Sequence, residues 1–164
     1  MKTVKLGIIG FGTVATGLIE GLEKNAKLIA ARFNVQFEVT KVAVRSLEAP
    51  RSVELPAGII TGDATEVINN DNVDVVVELM GGTGLAFDFV SQALKNGKAV
   101  VTANKALIAE HGVELFELAS QNNTRIFFEA SVAGGVPIIK ALREGRAGND
   151  IQSIHGILNG TCNF

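Results

Sequence analysis

The chain has 164 residues, of which 47% are hydrophobic and 20% charged, enough apolar material for one full domain with a sizeable core and too much for a disordered segment. Its formal net charge is -2 with no basic run, which removes the electrostatic reason to expect nucleic acid or an anionic membrane as partner. Cys162 is the only cysteine, so an internal disulfide is excluded and a reducing compartment is expected.

The opening Met1–Lys5 runs into apolar residues, but Gly7, Gly10 and Gly12 interrupt them at once. Neither a signal peptide nor a bilayer span fits that pattern, and a soluble, cytoplasmic protein is expected. From there, short β-branched runs alternate with longer stretches of helical period. Val4–Ile9 reads as a buried strand closed by Gly10. One long helix follows, with Val14, Leu18, Leu22, Ile29 and Phe33 as its apolar residues, and Phe37–Val44 reads as a second strand. Arg45–Asp63 holds two of the three prolines and reads as loop. Val73–Leu79 (VDVVVEL) is a further strand, and the helix after it carries Phe87, Val90 and Leu94 on one face before ending at Asn96–Gly97.

Ala99–Thr102 then reads as strand, Leu107–Ser120 as helix, Arg125–Ala130 as strand, and Ile138–Glu144 as a short helix with Pro137 at its start. Ile151–Leu158 is a last strand-like run. The loop-like Asn159–Phe164 after it reads as a chain cut before its next domain is complete. Such alternation implies right-handed crossovers and a mostly parallel sheet covered on both faces. There is no internal repeat.

Gly10–Phe11–Gly12–Thr13–Val14–Ala15 matches G-x-G-x-x-G/A directly after the first strand and at a helix start. Gly10 permits the tight turn, Gly12 lets the backbone approach a pyrophosphate, and Ala15 is small enough for close helix–strand packing. The helix amino end offers free amides and the positive end of a dipole to phosphates. A P-loop is excluded, because Leu18 follows Gly17 where that loop needs lysine. The fold class is therefore a Rossmann-type doubly wound parallel α/β sheet, with the beginning of a second, α+β domain. An NAD-binding fold usually ends its second strand with a carboxylate on the ribose hydroxyls. Here Val44 is followed by Arg45–Ser46, a pairing better suited to a 2′-phosphate, so NADP is favoured over NAD. Arg51 adds charge if the loop folds back. The plainer reading of Arg45 is a solvated strand end.

Glu78–Leu79–Met80–Gly81–Gly82 closes the VDVVVEL strand and Val101–Thr102–Ala103–Asn104–Lys105 closes the next. Glu129–Pro137 follows the strand after that. These glycine-bearing loops converge at the carboxyl ends of strands, where open parallel sheets bind ligands. The stretches GFGTVATG (Gly10–Gly17), VTANKALIA (Val101–Ala109), FEASVAGGVPII (Phe128–Ile139) and GILNGTCNF (Gly156–Phe164) together resemble homoserine dehydrogenases. The resemblance runs in order along nearly the whole chain, apart from Ser46–Asp63. Ala15 stands where a third glycine is commoner, and Cys162 where threonine is usual.

The resemblance implies reduction of aspartate 4-semialdehyde to homoserine by NAD(P)H, within threonine and methionine biosynthesis. It implies a cofactor bound by Gly10, Phe11, Gly12, Thr13, Val14, Arg45, Gly81, Gly82, Thr102, Asn104 and Lys105. Lys105 would lie between nicotinamide and substrate, where a cation polarises the aldehyde and stabilises the nascent alkoxide; the bland alternative is a surface lysine at a helix start. The resemblance also implies a sodium ion held by backbone groups of Glu129, Val132, Gly134 and Val136, against an ordinary tight turn with no ion. It further implies a homodimer of the intact protein, paired through the second domain. The proton-donating lysine and the acidic residues that grip the substrate are expected beyond residue 164. On that reading residues 1–130 form the NAD(P)-binding domain and 131–164 the junction and the start of the catalytic domain. The 164 residues alone are then expected to bind cofactor but to turn over negligibly.

His111 and His155 belong to no metal-spaced cluster, no G-x-S-x-G occurs, and Glu114 and Glu117 read as a solvated helix face. Glu78 reads either as a cofactor contact or as a strand-end carboxylate bonded to nearby backbone. Two rival functions remain: a nucleotide-sensing module without catalysis, and another amino-acid or semialdehyde dehydrogenase of this fold. Lys105 argues against the first, and the want of a cysteine in a suitable strand-end loop argues against an acylating member of the second.

Overall fold

A computed structural model describes residues 1–156 of the chain. It contains six strands, β1 (Lys2–Ile9), β2 (Val35–Ala43), β3 (Ile60–Thr61), β4 (Val75–Glu78), β5 (Ala99–Thr102) and β6 (Ile126–Phe127). The helices are α1 (Thr13–Lys24), α2 (Ala26–Phe33), α3 (Thr65–Ile68), α4 (Gly84–Lys95), α5 (Lys105–Gln121) and α6 (Ile138–Arg143). All strand pairs are parallel, in the order β3-β2-β1-β4-β5-β6. That is the doubly wound order, with its switch point between β1 and β4.

Alternation along the central strands builds two cores. Leu6 and Ile8 of β1, Val42 of β2 and Val77 of β4 face α1, whose Ala15 and Ile19 close over them. Ile9, Val76 and Val100 face the other way, under α3, α4 and α5 through Val67, Val90, Leu94, Leu107 and Leu115. The fully buried Ala15 bears out the close helix–strand packing expected of the small residue in the glycine motif. Each fully buried branched side chain contributes roughly 1.5–3 kcal/mol from apolar burial.

Five sequence-based expectations are corrected. The long helix divides at Asn25, whose side-chain amide donates to the Gly21 carbonyl at 2.8 Å and competes with continuation of the helix. Val14 and Phe33 do not face the core; they are 58% and 69% exposed, and Ala15 and Ile19 carry the buried stripe instead. Arg45–Asp63 is not all loop, because Ile60–Thr61 pairs with Val42–Ala43 as an edge strand and α3 follows directly. The expected strand Arg125–Ala130 shortens to β6 and turns into a 3₁₀ segment at Glu129–Ser131. The run from Ile151 forms no strand through residue 156, since no neighbouring strand meets its backbone; the remainder of that expectation lies outside the described residues. Pro137 precedes α6 as its N-cap.

Close approach fixes one glycine at the sheet centre. A Cβ on Gly7 would stand 2.5 Å from Val67 Cγ1 and 2.9 Å from Val73 Cγ1, two branched side chains already packed on β1. Gly7→Ala is expected to destabilise the fold by about 1–3 kcal/mol through overpacking. Gly17→Ala, on an open face of α1 with no atom within 4 Å of the added methyl, should stabilise it by about 0.5–1 kcal/mol. Urea unfolding of both variants checks the contrast, and equal midpoints would contradict the packing account.

Candidate functional site

The loops after β1, β2, β3 and β4 open on one groove of about 540 Å³, in the range of roughly 300–1,000 Å³ usual for small-molecule sites. Gly10 lies at its floor with φ +97°, a left-handed conformation that suits glycine. A Cβ there would also stand 2.8 Å from the Leu79 carbonyl group and 2.9 Å from the Met80 amide. The first and fourth strands thus touch backbone to backbone where the groove begins.

Gly12 is the N-cap of α1, and nothing lies within 4 Å of where its side chain would be. The first intrahelical bond runs from Thr16 N to Gly12 O, so the amides of Thr13, Val14 and Ala15 have no acceptor among the described residues. Thr13, Val14 and Gly12 are exposed at this open amino end, and Phe11 is half-buried against the core beside α1. An open glycine cradle with unclaimed amides at the positive end of a helix fits a diphosphate.

Arg45 stands exposed on the groove wall at the end of β2. Opposite lie Gly62, Asp63 and Ala64 from the β3–α3 turn, Met80 and Gly81 from the β4 loop, and Leu85 and Phe89 from α4. Of these, sequence reasoning singled out only Gly81. The signal for Gly62, Asp63 and Ala64 was the β-branched Ile59–Ile60–Thr61 followed by Gly62–Asp63, a strand end too short for periodicity to reveal. Asp63 accepts from the Thr65 hydroxyl at 2.7 Å and the Thr65 amide at 2.8 Å, and these bonds hold its carboxyl below the ordinary value.

A buried polar network lies under the loops after β4 and β5. Glu78, fully buried, accepts from the Met80 amide at 2.9 Å and from the Thr102 hydroxyl at 2.5 Å. Burial pushes its carboxyl above the ordinary value, opposed in part by hydrogen bonds from Thr102, the Met80 amide and Asn104. Of its two sequence readings, the strand-end carboxylate bonded locally is the one observed. Thr102 Oγ1 also accepts from the Asn104 amide at 3.0 Å, and its carbonyl accepts from Ser131 Oγ at 2.8 Å. The Thr102 side chain is therefore buried beneath the loops and engaged on both sides, not directed into open space.

Asn104 caps α5. Its Oδ1 accepts from the Leu107 amide at 3.1 Å, while its Nδ2 donates to the Gly82 carbonyl at 2.7 Å. That second bond ties the β4 loop to the α5 amino end, with Gly82 held at φ +82°. Lys105 follows in the first turn of α5, exposed, and its ammonium meets no hydrogen-bond or ion-pair partner among the described residues.

The loop after β6 curls through three consecutive left-handed residues, Ala133, Gly134 and Gly135, at φ 55°, 34° and 85°. The Glu129 carboxylate accepts from the Ile139 and Lys140 amides, each at 2.9 Å, and so closes this loop onto α6. The carbonyls of Glu129 and Val136 each accept one backbone bond, from Val132 and Ile138, and those of Val132 and Gly134 accept none among the described residues. The side-chain role of Glu129 was not legible in the sequence.

A 3-2-1-4-5-6 parallel sheet with a glycine turn and an uncapped helix end at its switch point defines a dinucleotide-binding domain of the Rossmann class. Residues 10–129 match the family model for the homoserine dehydrogenase NAD-binding domain, and residues 137–164 match that for homoserine dehydrogenase. The chain belongs to the homoserine dehydrogenase family. It is 48% identical over 164 residues to the homoserine dehydrogenase of Neisseria gonorrhoeae and 49% identical to that of Pseudomonas aeruginosa, covering 38% and 37% of those proteins. It thus spans a little over a third of their length. Among solved structures, a homoserine dehydrogenase from Thiobacillus denitrificans superposes with a TM-score of 0.83 at 43% identity, over 91% of this chain and 34% of that one. A hyperthermophilic archaeal homoserine dehydrogenase in complex with NADPH superposes at 0.67 and 30% identity, over 89% of this chain and 50% of that one.

The raised Glu78 carboxyl yields a pH prediction. Between its ordinary 4.5 and its higher value in the fold, the folded state retains a proton that the unfolded chain has released. Stability from this group is therefore full below about pH 4.5 and falls as pH rises. Glu78→Gln removes that titration. The melting temperature of the variant relative to the parent is expected to rise from pH 4.5 to pH 7.5, whatever the constant offset. A difference that stays flat or falls over that range would contradict the assignment.

Proposed function

We propose that this chain supplies the cofactor-binding part of a homoserine dehydrogenase that reduces aspartate 4-semialdehyde to homoserine with NADPH. The observation that carries the reading is the open amino end of α1 and an exposed Arg45 with no partner among the described residues, in a chain that also presents Asn104–Lys105 at the end of β5. The amides of Thr13–Ala15 would hold the diphosphate, with Gly10, Phe11 and Gly12 forming the turn beneath it. Arg45 and Ser46 face the 2′-phosphate, which favours NADP over NAD, since β2 ends without a carboxylate to hold ribose hydroxyls. The NADPH complex of the archaeal relative supports that cofactor class.

Gly81, Gly82, Thr102 and Asn104 shape the nicotinamide end. Thr102 acts there from below, by holding the Asn104 amide, and Asn104 by fixing Gly82. Bound NADPH supplies a hydride to the aldehyde carbon. Lys105 orients the aldehyde and stabilises the alkoxide that forms, an electrostatic role open to an ammonium with no competing partner among the described residues. The loop Glu129–Val136 would hold a sodium ion through backbone groups of Glu129, Val132, Gly134 and Val136. The unclaimed carbonyls of Val132 and Gly134 support that ligand set, since hard cations take oxygen donors. The intact protein is a cytoplasmic homodimer paired through its second domain.

Titration of NADPH and NADH into the chain, followed by nicotinamide fluorescence, tests the cofactor assignment. The parent is expected to prefer NADPH. Arg45→Ala should weaken NADPH about 10-fold, the lower end of a charge-assisted bond, and change NADH by less than about 2-fold. Gly10→Val should abolish both. Equal affinities that Arg45→Ala leaves equal would remove the NADP assignment, and no binding of either nucleotide would remove the dinucleotide site itself. The chemistry is tested in a chain completed with the C-terminal region of the Pseudomonas aeruginosa relative. There Lys105→Ala is expected to lower kcat for aspartate 4-semialdehyde by about 10²–10³-fold while NADPH affinity stays within about 3-fold. Unchanged kcat would return Lys105 to a surface role.

A further inference from the structure

Arg51 folds back as its sequence position allowed, but its guanidinium turns onto the chain. Its Nη1 donates to the carbonyls of Leu47 at 3.1 Å and Ala49 at 2.9 Å, and its Nη2 donates to the Ser46 carbonyl at 2.5 Å. Its Nε is sealed from solvent and bonds nothing among the described residues. The guanidinium carbon lies 5.7 Å from the centre of the Phe11 ring, within cation–π reach. Three of the five donors of one side chain are thus committed to the loop that begins at Arg45, and its face to the residue between Gly10 and Gly12.

Among the described residues, no backbone amide between Arg45 and Leu55 donates to another backbone group. The loop therefore has no ladder of its own to fix it, and Arg51 takes that part. We infer that Arg51 is a specificity-positioning residue: a clamp that locks the loop carrying Arg45 and Ser46 onto the glycine turn and so presets the grip on a 2′-phosphorylated ribose. The inference rests on the cofactor reading above. It assigns Arg51 a different role from that of Arg45, because Arg51 acts through backbone carbonyls and holds the loop before any nucleotide arrives. A preset loop spares the ordering cost that a free one adds to binding. The three carbonyls are served from two nitrogens of one planar fork, a span that the single nitrogen of an ammonium does not reproduce.

The test uses Arg51→Lys and Arg51→Met in the 164-residue chain. Cleavage after Glu48 by a glutamate-specific protease, read by mass spectrometry without nucleotide, reports the loop directly. Both variants are expected to be cut at least about 10-fold faster there than the parent, with their melting temperatures showing that the domain remains folded. NADPH affinity should fall about 5- to 10-fold in both, with NADH within about 2-fold. A direct phosphate ligand would instead leave nucleotide-free cleavage unchanged, and Arg51→Lys would keep most of the NADPH affinity. Either result overturns the clamp. If the parent binds neither nucleotide, or Arg45→Ala leaves the NADPH to NADH ratio unmoved, the cofactor reading fails, while cleavage at Glu48 still decides whether Arg51 holds the loop.

Discussion

Much of the arrangement at the carboxyl ends of the central strands depends on a single buried carboxylate. Glu78 ends β4 on the face that packs under α4 and α5, a position that Val76 occupies two residues earlier with an apolar side chain. A carboxyl group at that depth is costly unless its oxygens are bonded. The Met80 amide and the Thr102 hydroxyl satisfy both oxygens, and in doing so they bring the β4 and β5 ends together. Thr102 passes the constraint to Asn104 through its other lone pairs, and Asn104 passes it to Gly82. Ser131, donating to the Thr102 carbonyl, brings the segment after β6 into the same network. Three strand-end loops thus share one polar anchor, and the start of α5 with Lys105 is set by it.

The geometry also explains why the groove begins where it does. In a parallel sheet the crossovers after β1 and β4 leave in opposite directions, and the space between them opens only if the two strand ends come close underneath. Gly10 against Leu79 and Met80 supplies that approach. Any side chain at residue 10 would separate β1 from β4, and would also have to adopt a left-handed φ. Packing and turn geometry therefore demand glycine there independently of any ligand. At Gly12 the demand is different: the fold leaves the space open, and glycine there serves as the N-cap of α1 and keeps its amino end unobstructed.

The fold was largely legible in the sequence because its signals were long or local. Val4–Ile9, the VDVVVEL run and the helix over Gly84–Lys95 each carry enough apolar periodicity or capping chemistry to stand alone. The glycine turn was readable because strand, turn and helix succeed one another within a few residues. What escaped was short or non-local. Ile60–Thr61 is a strand only because Val42 and Ala43 lie beside it, and two residues show no period. Val14 looked like a core residue by spacing, yet a helix whose Ala15 must press on the sheet turns its neighbour outward. Of the residues that line the groove, Gly10, Arg45 and Gly81 stand out in the sequence by motif or strand-end position, whereas those brought there by tertiary packing, such as Asp63, Leu85 and Phe89, do not. Glu129 was assigned for its backbone, whereas its carboxylate closes a helix ten residues away.

Asn104 and Arg51 solve the same problem at the two ends of the domain's ligand-facing edge. A loop that must meet a ligand cannot spend its backbone groups on a sheet, so it needs another source of order. At one end an amide side chain bonds both the helix it caps and the neighbouring loop, and it inherits its own position from a buried carboxylate. At the other a guanidinium gathers the carbonyls of its own loop and lays its face on the glycine turn. The two devices differ in what stands behind them. Asn104 is backed by the core, so weakening it requires disturbing buried groups. Arg51 is backed only by the loop it binds and by one half-buried aromatic ring. Ordering by a surface clamp is the weaker of the two, and the part of the site proposed to discriminate between nucleotides is accordingly easier to alter than the part proposed to carry the chemistry.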